Sequence, residues 1–161
     1  MSKFITVAET AKIVRSALKV AFPGIKFSVR SKSYSGGASI DVSWQDGPTA
    51  KEVEYITNKY QGASFDGMQD LKSYHTSNYN GEKVYFGADF IFTTRTFSVD
   101  FLKRRAFVVA SKYGQEVPEV YTDKYGNAHA KESYAFTLNS AHGMRNLADL
   151  VFENARKTRA A

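Results

Sequence analysis

Residues 28–52 read SVRSKSYSGGASIDVSWQDGPTAKE, and the fold turns on how its two adjacent glycines are read. A phosphate-gripping glycine loop leaves a strand and enters a helix whose first amides point at the anion. Gly36 and Gly37 instead have strand pattern on both sides. Ile25, Phe27 and Val29 alternate with Lys26, Ser28 and Arg30 before them. Ala38, Ile40, Val42 and Trp44 alternate with Ser39, Asp41, Ser43 and Gln45 after them. Period two gives each strand one apolar and one wet face, and the reversal between them wants the positive φ that glycine supplies. The stretch therefore reads as a β-hairpin with Lys26, Arg30, Lys32 and Asp41 on its wet face.

Helices flank this hairpin. Thr6-Val-Ala-Glu9 is a capping box, in which hydroxyl and carboxylate satisfy the orphan amides of a helix start. Val7, Ala11, Val14, Leu18 and Phe22 then recur at helical spacing until Pro23-Gly24. A second helix opens after Gly47-Pro48, with Thr49 and Glu52 repeating the capping box and Val53, Ile56 and Tyr60 as its inner stripe. Residues 62–83, rich in Gly, Ser, Asn and Tyr, read as a mobile or functional loop. Val84, Phe86, Ala88, Phe90 and Phe92 alternate as one central strand.

A third helix begins at Ser98, packs Leu102, Ala106, Val109 and Tyr113, and stops at Gly114. A second hairpin turns near Tyr125-Gly126-Asn127. The last helix, with Met144, Leu147, Leu150 and Val151 inward, runs into the basic tail RKTRAA. Together these elements predict one α+β domain over residues 1–161. It has a mainly antiparallel sheet, helices packed on one face, and α-β-β-α order at the N-terminus.

Composition narrows the chemistry. The chain has no cysteine, which excludes disulfides, thiolate metal sites and a cysteine nucleophile. No segment approaches the ~20 apolar residues of a membrane span, and the N-terminus lacks a signal pattern. A cytoplasmic protein without membrane contact is expected. The net charge of +6 favours polyanionic partners. His75, His129 and His142 are scattered, and no serine sits in a nucleophile elbow, so no catalytic residue is assigned. Asp66 and Asp70 would share a face if helical and could hold a divalent ion, but Asp66-Gly67 reads more simply as a turn. No metal or cofactor is assigned either. Asp89, on the polar phase of its strand, is expected to face solvent.

Three blocks carry a family resemblance in order and spacing: SVRSKSYSGGASIDVSWQDGPTAKEVE (28–54), GASFDGMQDLKSY (62–74) and FGADFIFTTRTFSVDFLKR (86–104). They resemble large polyvalent protein-associated domain 29. The resemblance spans roughly residues 4–113 and leaves 115–161 as a hairpin-and-helix extension. It implies the setting of phages and conjugative elements, whose long multidomain proteins carry such domains, and with it a role against host defences. It supplies no catalytic residues. Since the domain fills most of this chain, any activity is expected of the domain itself.

The residues best suited to a polyanion are basic side chains interleaved with aromatics. Arg30, Lys32 and Tyr34 stand at the hairpin tip, Tyr74 and Tyr79 in the loop, and Lys103, Arg104 and Arg105 on the third helix. Cations would pair with phosphates and exposed tyrosines would stack on bases. The resulting expectation is a non-enzymatic accessory protein engaging nucleic acid or a host complex that handles it. The alternative is a protein-interaction module that inhibits a defence system without nucleic-acid contact. The plain competing reading makes the tyrosines packing residues and the charges a solvated surface.

Overall fold

Thr6 caps the first helix as its position predicts. Its hydroxyl accepts from the Glu9 N–H (3.3 Å) while the Glu9 carboxylate accepts from the Thr6 N–H (2.9 Å), opening α1 (Val7–Ala21). The computed structural model describes residues 2–133, 136–140 and 143–160. Its chain divides into two compact units, Met1–Trp44 with Ala50–Thr94 and Gln45–Thr49 with Arg95–Ala161. Each holds eleven Lys and Arg against eight Asp and Glu, so neither monopolises the positive charge.

In the first unit, α1 lays Ala11, Val14 and Leu18, with its C-cap Phe22, on the apolar face of the predicted hairpin. Its strands follow a short N-terminal strand, β1 (Lys3–Ile5), that carries no sequence signal. They are β2 (Ser28–Tyr34) and β3 (Gly37–Gln45). Tyr34 pairs with Gly37 and Arg30 with Asp41, so the loop is the two residues Ser35-Gly36, with Gly36 at φ 88°. The helix α2 (Ala50–Thr57) adds Val53 to the same core, and Ile56 and Tyr60 pack against it. Val14, Leu18, Ile40, Val42 and Val53 are fully buried, each worth ~1.5–3 kcal/mol of transfer from water. This confirms the α+β class and the helix-strand-strand-helix start.

Residues 62–83 correct the expected loop. They hold β4 (Ala63–Asp66) and β5 (Leu71–Tyr74), paired antiparallel, then β6 (Ser77–Tyr79), which pairs antiparallel with β7 (Glu82–Phe86). Phe65, Leu71 and Tyr74 are exposed, so no one-sided apolar pattern announces β4 and β5. The turn signals were there to read. Asp66 Oδ1 accepts from Met68 N–H (2.9 Å), which places Asp66 in a turn and not on a helix with Asp70. Asn80 and Gly81 both have positive φ (52° and 81°), as a two-residue type I′ hairpin requires.

The single central strand expected over Val84–Phe92 is two strands. After β7 the chain passes Gly87, whose N–H donates to Ile5 O (2.7 Å) as β1 pairs parallel with β7. A Cβ on Gly87 would stand 2.8 Å from Ile5 O and 3.0 Å from Val7 N, so only glycine allows this closure. The apolar phase then slips. Ile91 is buried, Phe92 is 54% exposed, and β8 (Phe90–Thr96) joins the free edge of β3.

The second unit builds its own core. The helix α3 (Val99–Tyr113) starts at Ser98, whose hydroxyl accepts from Phe101 N–H, and ends at Gly114 in the left-handed region. Next come β9 (Val120–Thr122) and β10 (Ala128–Ala130), turning as expected near Gly126. A further antiparallel pair, β11 (Thr137–Ser140) and β12 (Gly143–Asn146), precedes α4 (Leu147–Lys157). Leu102, Ala106, Val109, Leu147 and Val151 form the core of this unit. Met144, expected inward on the last helix, lies on β12 and is 73% exposed. Arg95 holds the end of α4: its guanidinium donates to the carbonyls of Ala155, Thr158, Gly47 and Asp46.

Candidate nucleic-acid interface

The glycine pair does receive an anion, and the anion is the protein's own Asp89. Asp89 Oδ2 accepts from the Ala38 N–H (3.0 Å) and from Lys72 Nζ (2.6 Å), and Lys72 also donates to Gly36 O (3.2 Å). A Cβ on Gly37 would fall inside the contact shell of Asp89 Oδ2 and lie 3.1 Å from Lys72 Nζ. Gly36 supplies the turn, and Gly37 supplies the space. Asp89 is 6% exposed, which overturns its expected solvent position. Its donors come from residues 51 and 17 positions away, beyond any local pattern. The Asp89 carboxylate, and then Tyr74, push the Lys72 ammonium above its ordinary pKa.

This polar knot lies at the edge of a groove of about 640 Å³, whose walls include Phe4, Thr6, Ser33, Tyr74, Tyr85 and Gly87. Three aromatics line it and remain open to solvent: Phe4 (66%), Tyr74 (62%) and Tyr85 (40%). Phe4 and Tyr85 are direct partners in the β1–β7 register, with Ile5, Val84 and Phe86 on the opposite, buried face. Alternation therefore places both rings outward together. Lys72 sits over the Tyr74 ring (4.9 Å), a cation–π contact that steadies the ring at the groove edge.

Of the residues selected from sequence, Arg30, Lys32 and Tyr34 share the face of β2 opposite Val29 and are all exposed. Tyr34 approaches the Gly37 position to 3.2 Å and Tyr74 is held by Lys72, so the structure brings these two tyrosines to one neighbourhood. Tyr79 belongs elsewhere. It packs edge-on against Tyr60 and Phe86 (6.3 and 5.9 Å between centroids), which makes it a core aromatic. Lys103 and Arg104 are exposed on α3 in the second unit, while Arg105 is half-buried with its guanidinium over the Phe101 ring (5.8 Å). Phe4, Lys72, Tyr85 and Asp89 were missed as site residues. The first three lie in short or exposed segments, and no periodicity distinguishes them.

The histidines support no common site. His75 is exposed after β5, His129 pairs with Asp123 and stacks on Tyr121, and His142 lies outside the described residues. Among the described residues no helix is long and apolar enough to cross a membrane.

No curated protein and no solved structure matches the chain significantly. The family model for large polyvalent protein associated domain 29 matches residues 5–98. That is shorter than the 4–113 expected, because the match stops at the N-cap of α3. It takes in the Gly36-Gly37 turn, Lys72, Asp89 and two of the three groove aromatics, Tyr74 and Tyr85, and begins one residue after Phe4. By this match the chain belongs to the large polyvalent protein associated domain 29 family, a family associated with phages and mobile elements.

Proposed function

We propose that this protein is a non-enzymatic accessory factor of a phage or mobile element, acting in the host cytoplasm, that binds single-stranded nucleic acid. The observation that carries the reading is the groove with three solvent-open aromatics in the same unit as the Arg30–Lys32–Tyr34 strand. Isolated exposed aromatics need no explanation, but a group of them around one concavity does. Aromatic stacking supplies ~1–3 kcal/mol per base without sequence demands, and the lysines and arginines supply phosphate contacts. Such a factor would counter host defences by occupying nucleic acid, or a nucleic-acid-loaded host complex.

A second reading rests on a different surface. The β4–β5 hairpin presents Phe65 (55% exposed), Met68 (99%) and Leu71 (56%). An apolar tip of this kind suits a protein partner, and would serve a module that inhibits a defence system without touching nucleic acid.

Fluorescence anisotropy with labelled single-stranded DNA, duplex DNA and RNA across a salt series separates the two. Micromolar or tighter binding to single strands, weakening steeply with salt, supports the first. Absence of binding at low salt rejects it and leaves the hairpin tip as the surface to test.

A further inference from the structure

We infer that the groove selects bases carrying an exocyclic amino group (cytosine, adenine, guanine) over thymine and uracil, through the free oxygen of Asp89. This rests on the single-strand reading above and names what that site recognises.

Asp89 lines the groove although it is 6% exposed. Both of its protein hydrogen bonds end on Oδ2, from Ala38 N–H and Lys72 Nζ. Oδ1 has no donor among the described residues. A carboxylate oxygen only accepts hydrogen bonds, and Oδ1 is not among the buried unpaired side-chain atoms of the described residues, so it is open to a donor that enters the groove. The Lys72 pairing fixes the carboxylate in place and offsets its charge, so an uncharged donor suffices to complete it. Flat aromatic rings form part of the groove wall, and its volume lies within the ~300–1,000 Å³ of small-ligand sites. The ligand that fits both features is a flat ring with N–H donors on its edge.

Bases differ in that respect. Cytosine and adenine present an amino group, and guanine presents an amino group beside a ring N–H. Thymine and uracil present a carbonyl where cytosine has its amine, and their one ring N–H lies between two carbonyl oxygens. Stacking on Phe4, Tyr74 or Tyr85 would accept any base, so discrimination falls to Asp89. Carboxylates read the cytosine amine in this way, and a site built to receive a donor rejects the analogue lacking it. With one oxygen taking part at a groove open to solvent, a preference of about tenfold is expected.

The test is anisotropy of the full chain with oligo-dC, oligo-dA and oligo-dT of one length, at one low salt concentration. Oligo-dC and oligo-dA should bind about tenfold more tightly than oligo-dT. Asp89→Asn should remove the preference. Because that variant can lose the turn it anchors, wild-type protein is also given oligo-dC with N4,N4-dimethylcytosine in place of cytosine. Loss of the donors should bring its affinity down to that of oligo-dT. Tyr74→Ala should weaken all the oligonucleotides alike. Equal affinities for the three homopolymers, or a preference that survives dimethylation, overturns the inference and leaves single-strand binding standing. Absence of binding to every oligonucleotide overturns both.

Discussion

Replacing Gly37 by alanine tests the Asp89 knot directly. The added methyl would collide with Asp89 Oδ2 and crowd Lys72 Nζ at 3.1 Å and Tyr34 Cε2 at 3.2 Å. The backbone there does not need glycine for its φ, since the positive φ of this turn belongs to Gly36. The cost is therefore that of evicting a carboxylate. Losing the buried, charge-assisted bond from Ala38 N–H costs ~1.5–3 kcal/mol. The Lys72 pair, one-quarter exposed at the lysine, adds ~1 kcal/mol after solvent screening. A destabilisation of about 3 kcal/mol is expected, or ~6–12 °C in Tm for a chain of this length. Trp44 is the chain's one tryptophan and is 4% exposed in the first unit's core, so urea denaturation followed by its fluorescence reads the right unit. A double-mutant cycle isolates the cause: in an Asp89→Ala background the Gly37→Ala step should cost under ~0.5 kcal/mol. An equal cost in both backgrounds, or a single variant within ~0.5 kcal/mol of wild type, would refute the carboxylate-eviction argument.

Four further expectations follow from the structure. Arg95→Lys keeps the charge but cannot span the carbonyls of Asp46, Gly47, Ala155 and Thr158, so thermal unfolding should show the second unit destabilised by about 3 kcal/mol. The Lys72 pKa is raised first by the Asp89 bond and then by Tyr74. Its stabilisation is therefore full below about pH 10.4 and is lost as pH rises through the higher folded value. The stability gap between wild type and Lys72→Met should stay level to about pH 10 and close above it, as urea midpoints at stepped pH would show. Reversing Arg30 and Lys32 to glutamate should weaken single-strand binding at least tenfold and lower the salt slope, while Tyr79→Ala should lower stability by about 2 kcal/mol through its lost ring contacts and leave binding per folded molecule unchanged. A Lys103→Glu, Arg104→Glu pair, measured alongside, reports whether the second unit's exposed cations take part.

Much of the local structure was legible because its causes are local. The Thr6–Glu9 and Ser98 caps, the left-handed stop at Gly114, and the alternation on either side of Gly36-Gly37 each involve residues within a few positions of one another. Chain neighbours alone determine such features. The alternation through Phe86, Ala88, Phe90 and Phe92 was equally regular and misled, because periodicity reports which side of a strand is apolar and not where the strand ends. Gly87 ends it, through a close approach to Ile5 and Val7 that is a fact of packing.

The site was hidden for the same reason. Arg30, Lys32, Tyr34 and Tyr74 could be picked out as cations and aromatics, but Tyr79 looked no different from them and packs against Tyr60 and Phe86. The sequence by itself determined the hairpin, the helices around it and the missing side chain at position 37. Only the tertiary structure decided what fills that space, because the Ala38 and Lys72 donors that hold Asp89 there converge on it from distant parts of the chain.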